Sequence, residues 1–111
     1  MQSQHKNLAN GTWQAFSLAQ QLGNIGSEVG RAINWQKKGN KQQSEKACER
    51  ALELIDLSLA DRRWKYPTLK EIARLRETFC DLFYGQNIYK ISPDYFDKYF
   101  LQFGLLARSK V

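Results

Sequence analysis

Histidine occurs only once in this chain of 111 residues, as His5 in a polar stretch ahead of the first apolar periodicity. A histidine general base or a histidine-rich metal site inside the folded body is therefore not expected. Cysteine occurs twice, as Cys48 and Cys80. The two are far apart in sequence, with no ligand-like spacing, and both fall on the apolar sides of expected helices, so reduced buried thiols and a cytoplasmic location are expected rather than a disulfide framework or a zinc site. Proline also occurs twice, as Pro67 and Pro93, each placed to mark a helix start. The period-two alternation of strands is missing, as is any apolar run approaching the roughly 20 residues of a membrane span. Residues 1–11 lack the apolar centre of a secretory signal and are expected to form a disordered tail.

What remains is enough for one helical domain covering residues 1–111. A chain of this length buries roughly 60–70% of its unfolded surface, so a true core is expected. The first helix is expected from Thr12 to about Lys37, with Lys38-Gly39-Asn40 as a left-handed stop. The second covers Lys41 to Ala60. Thr68 with Glu71 reads as a capping box opening a third helix that ends at Tyr84 before Gly85. Ser92-Pro93 opens a fourth, running to about Ser109. Their apolar stripes are Leu18, Leu22, Ile25, Val29 and Ala32; Cys48, Ala51, Leu52, Ile55 and Leu59; and, on the fourth, Phe96, Tyr99, Phe100, Phe103, Leu106 and Ala107. Four amphipathic helices with short connections predict an all-α, antiparallel up-and-down four-helix bundle.

Two stripes carry unusual residues. On the third helix the expected core face reads Leu69, Ile72, Arg76, Phe79, Phe83, placing a guanidinium where leucine would serve. A buried arginine keeps its charge and must be paired, so Glu49 and Asp56 on the second helix, or Glu28 on the first, are its candidate partners. If none meets it, a bound phosphate or nucleotide becomes the alternative, because arginine grips such groups in a bidentate fork. On the first helix, Ala19, Gly23, Gly26, Gly30 and Ile33 form a second stripe of mostly small residues. Each interior glycine costs about 1 kcal/mol relative to alanine, so close approach of another helix is expected there.

The chain carries 17 Lys and Arg against 11 Asp and Glu, a formal charge of +6. Arg62, Arg63 and Lys65 interleave with Trp64 and Tyr66, a combination that suits phosphate contacts with base stacking as well as plain helix termini. Lys6, Arg108 and Lys110 would share that end of a bundle; Lys37, Lys38, Lys41 and Lys90, with Trp35 and Tyr89, would gather at the other. Glu45, Glu49, Glu53 and Asp56 line one flank of the second helix without the Glu-x-x-His motifs of dimetal bundles, so neither metal nor cofactor is expected. Leu101 and Leu105 lie opposite the main stripe of the fourth helix and Leu57 opposite that of the second, which predicts a homo-oligomeric contact, most simply a two-fold dimer.

In helix number and length, Thr12 to Ser109 resembles the small HEPN-like helical-bundle proteins of prokaryotes, which partner minimal nucleotidyltransferases or act as RNases. The RNase members carry arginine followed four to six residues later by histidine. Here Arg76-Glu77-Thr78-Phe79-Cys80-Asp81 sets an aspartate where the histidine would stand. What the resemblance implies is thus a non-catalytic interaction module with a nucleotidyltransferase-type protein partner. In size and charge the chain is also similar to the basic four-helix-bundle accessory proteins that assist reverse transcriptases by holding RNA, which implies RNA binding as the alternative.

Overall fold

The computed structural model describes the backbone of residues 11–109, with side chains over the same range except Gly104 and residues 106–109. His5, Lys6 and Lys110 and residues 1–10 of the expected tail lie outside the described residues, as do the side chains of Leu106, Ala107 and Arg108. Within the described range the protein is all-α, with four helices and no strand: α1 (Leu18–Lys37), α2 (Lys41–Leu59), α3 (Thr68–Tyr84) and α4 (Pro93–Ser109).

The first helix starts later than Thr12. Trp13–Ala15 forms a separate 3-10 turn, Phe16 is extended, and α1 opens at Ser17. The Ser17 hydroxyl accepts from the Gln20 amide at 3.1 Å while the Gln20 side chain accepts from the Ser17 amide at 2.8 Å, a reciprocal capping box. That Ser-x-x-Gln spacing outcompetes Thr12 because Trp13 turns inward and is fully buried. At the other end Gly39 adopts φ +77°, the left-handed stop expected of it, and Asn40 caps α2 by accepting from the Gln43 amide at 3.0 Å. Thr68 begins α3 as expected, but the capping box does not form: Pro67 is the N-cap and makes no side-chain cap bond. Pro93 is the first residue of α4.

Helix α1 packs against α2 and α4, and α2 against α3; the α3–α4 seam is not among the main helix contacts. The α1–α2 register runs in opposite directions, from Ala32 beside Ser44, through Glu28 beside Arg50, to Gln21 beside Ser58. The core is built from Leu22, Ile25, Val29, Ala32 and Ile33 of α1, Ala47, Cys48, Ala51, Leu54 and Ile55 of α2, Ile72, Leu75 and Phe79 of α3, and Phe96 and Phe100 of α4, closed at one end by Trp13. Leu57, expected to stand outside, is half-buried against this core.

The α3 face is rotated from the expected stripe. Leu75 is buried while Leu69 is exposed. At about 100° per residue, burying Ile72, Leu75 and Phe79 together shifts the core arc away from Leu69 and Arg76. Arg76 therefore sits at the rim with its side chain 45% exposed, a correction to the expectation that it is buried.

The glycine stripe divides likewise. A Cβ on Gly26 would lie 2.5 Å from Cβ of Phe100, so α4 rests directly on the α1 backbone there. A Cβ on Gly30 would meet nothing within 4 Å, so Gly30 does not face a neighbouring helix at close range.

Candidate interaction surfaces

Arg76 Nε donates to Asp56 Oδ1 at 2.8 Å, joining α3 to α2. Both side chains are about half exposed, at 45% and 54%, so the pair contributes at most about 1 kcal/mol. Glu28 is not its partner. That carboxylate is buried on α1 and accepts from Arg31 at 2.8 Å and Arg50 at 2.9 Å. Glu49 is half-buried on α2, where its charge helps raise the Tyr84 phenol, though burial is the larger cause and brings it to about 12. Arg76 and Asp56 thus share one helix-to-helix contact, and Glu28 serves another.

The Arg62–Tyr66 segment also splits. Trp13 Nε1 donates to the Ser58 hydroxyl at 3.0 Å, and Ser58 donates to Gln21 Oε1 at 2.8 Å. Trp64 Nε1 donates to the same Gln21 oxygen at 2.9 Å, while Gln21 Nε2 donates to Trp13 O at 3.0 Å and to Asp61 Oδ2 at 2.9 Å. Asp61 is buried and receives the Arg63 fork through Nε at 3.1 Å and Nη2 at 2.8 Å. Arg63 Nη2 also donates to Phe16 O at 2.6 Å, and its guanidinium lies 4.5 Å from the centre of the Trp64 ring. The Arg63 hydrogen bonds, more than burial opposes them, hold the Asp61 carboxyl at about 2. Arg63 and Trp64 thus help to fasten the N-terminal turn, while Arg62, Lys65 and Tyr66 are exposed outside this network, with Lys70 Nζ 6.0 Å from the centre of the Tyr66 ring.

Sequence reasoning missed Gln21, Ser58 and Asp61. Their only signal was polarity at helix-core spacing: Gln21 adjoins Leu22, and Ser58 follows Leu54 and Ile55. Asp81 was missed in its role as well. Standing where the RNase motif would need histidine, it accepts from the Ile88 amide at 2.8 Å and the Tyr89 amide at 3.0 Å, tying down the α3–α4 loop. In that loop Asn87 and Lys90 take positive φ, and the Asn87 side chain bonds both backbone groups of Ile91.

Among the cavities left open by the fold, two adjoin α4. Along α1 and α4, Gly23, Gly26, Ser27 and Gly30 floor an open cavity of about 400 Å³ whose wall includes Phe96, Phe100 and Leu101. Leu101 and Leu105, one turn apart on α4, are 57% and 56% exposed. The second surface is the α3–α4 seam. There Tyr99 donates its phenol to Glu71 Oε1 at 3.1 Å across the gap, and burial first, then the Glu71 charge, pushes that phenol well above its ordinary pKa.

Burial pushes the Cys48 thiol up to about 11, so it stays protonated. Cys48 and Cys80 are free, and no group of three or more His, Cys, Asp or Glu among the described residues could hold a metal. No helix among them is long and apolar enough to cross a membrane. Compared with protein-family models, curated proteins and solved structures, the chain finds no match.

Proposed function

We propose that this protein is a non-catalytic interaction module that acts in the cytoplasm, self-associates and docks a protein partner through the α1–α4 face. The observation that carries this reading is the pair Leu101 and Leu105, each more than half exposed beside a glycine-floored cavity. Fully burying a leucine contributes about 1.5–3 kcal/mol, a strong incentive for a partner surface to cover both. Ridge and hollow lie side by side on one face, so a two-fold axis there can seat the ridge of each copy in the hollow of the other. A homodimer is the simplest assembly, and a nucleotidyltransferase-type protein is the partner class the helix layout suggests.

Sedimentation equilibrium of the wild type and of Leu101→Glu combined with Leu105→Glu tests this. Concentration-dependent dimerisation is expected for the wild type and a well-folded monomer for the double variant. An equally dimeric double variant, or a wild type that stays monomeric at high concentration, removes this face from the self-association reading. RNA binding is the second reading, favoured by the exposure of Arg62, Lys65 and Tyr66, the last 78% exposed. Affinity for single-stranded RNA that falls steeply with salt and disappears on charge reversal at Arg62 and Lys65 would favour it over protein docking.

A further inference from the structure

Two adjoining cavities share Arg74 and Thr78, one of about 190 Å³ in the α3–α4 seam and one of about 330 Å³ between α3 and the loop that follows it. The first is walled by Glu71, Leu75, Tyr95 and Tyr99, the second by Lys70, Glu77 and Tyr89. The smaller lobe alone falls below the roughly 300 Å³ of an ordinary ligand pocket; with the larger it enters that range. Arg74 is exposed and, among the described residues, its guanidinium has neither an ion pair nor a hydrogen bond. The acidic side chains three residues to either side are turned to other partners, Glu71 to the Tyr99 phenol at 3.1 Å and Glu77 to the Tyr89 phenol at 3.5 Å. Each phenol draws its glutamate away from the arginine, leaving an open planar fork at the junction of the two lobes.

We propose that this seam binds a small aromatic carboxylate, its acid on Arg74 and its ring against Tyr95. Three features select that chemistry. Guanidinium matches a planar carboxylate bidentately. Lys70 and Arg74 are balanced by Glu71 and Glu77, so the site tolerates one added negative charge better than the two of a phosphate monoester. Tyr95, 49% exposed and nearly parallel to Tyr99 at an interplanar angle of 18°, offers a ring surface beside the buried Leu75 floor. The site is separate from the α1–α4 docking face, so either can fail without the other.

Ligand-observed NMR and calorimetric titration with phenylacetate, indole-3-acetate, benzyl alcohol and adenosine 5′-monophosphate test the proposal on the whole chain. The two carboxylates are expected to bind with Kd near about 1 mM, as suits ligands of so few atoms. Arg74→Met should weaken them at least tenfold, and Arg74→Lys should weaken them less, with the melting temperature unchanged in both because Arg74 holds nothing in the fold. Tyr95→Ala should weaken the aromatic acids but not alter the preference for acid over alcohol. Absence of binding at about 10 mM carboxylate, equal binding of benzyl alcohol, retention of affinity in Arg74→Met, or tighter binding of the nucleotide would each overturn it.

Discussion

The end of the protein around Gln21 and Asp61 and the seam between α3 and α4 use the same residue types to opposite effect. Both combine arginine, aromatic rings and carboxylates. At the Gln21 end the arginine fork meets a buried aspartate, both indole N–H groups find acceptors, and the glutamine amide uses both its oxygen and its nitrogen. In the seam the carboxylates are taken by phenols and Arg74 is left over. The contrast teaches that a basic and aromatic segment is a binding candidate only once its own acceptors have been counted. Arg63 and Trp64, nucleic-acid candidates in one dimension, are bonded to Asp61, Phe16 and Gln21 in three.

The largest effect should come from Trp13, which ties the N-terminal turn to the first region. Trp13→Ala removes a fully buried ring and the hydrogen bond that the Ser58 hydroxyl accepts, and is expected to destabilise by about 3–5 kcal/mol; chemical denaturation measures it, and a loss under about 1 kcal/mol would detach the turn from the core.

Acid should sharpen the same comparison. Asp61 is held at about 2 against an ordinary 3.8, a depressed carboxyl. Its stabilisation is fully present above the unfolded value and is lost as pH falls through the folded one, about 2 kcal/mol between roughly pH 4 and pH 2. Denaturation curves across that window should show this loss in the wild type and a much smaller one in Asp61→Asn. Equal slopes would mean that the carboxylate reaches water.

The smallest effect is expected on the α3 side. Arg76→Met breaks only a half-exposed pair and should change stability by less than about 1 kcal/mol. A loss of about 3–5 kcal/mol would place the guanidinium in the core after all.

The helix count, three of the four helix starts to the residue and the left-handed stop at Gly39 were legible in the sequence, because caps, prolines and apolar period are local signals. So was the tight seat at Gly26, where the absence of a side chain has to be matched by a neighbour. Local signals misled where two competed. Thr12 and Ser17 both suit an N-cap, and only the inward turn of Trp13 decides between them. Leu69 and Leu75 both suit the core of α3, and only the tertiary packing selects Leu75 and moves Arg76 to the rim.

By itself, then, the sequence determined an all-α protein of four amphipathic helices, since helical period and capping act within a few residues. Tertiary structure alone decided which polar groups satisfy one another: that Glu28 serves Arg31 and Arg50, that Asp56 serves Arg76, that Asp61 gathers Gln21 and Arg63, and that Arg74 goes unanswered among the described residues. Hydrogen bonds and ion pairs work over about 3 Å, and no pattern along the chain reveals which side chains from different helices come within that distance.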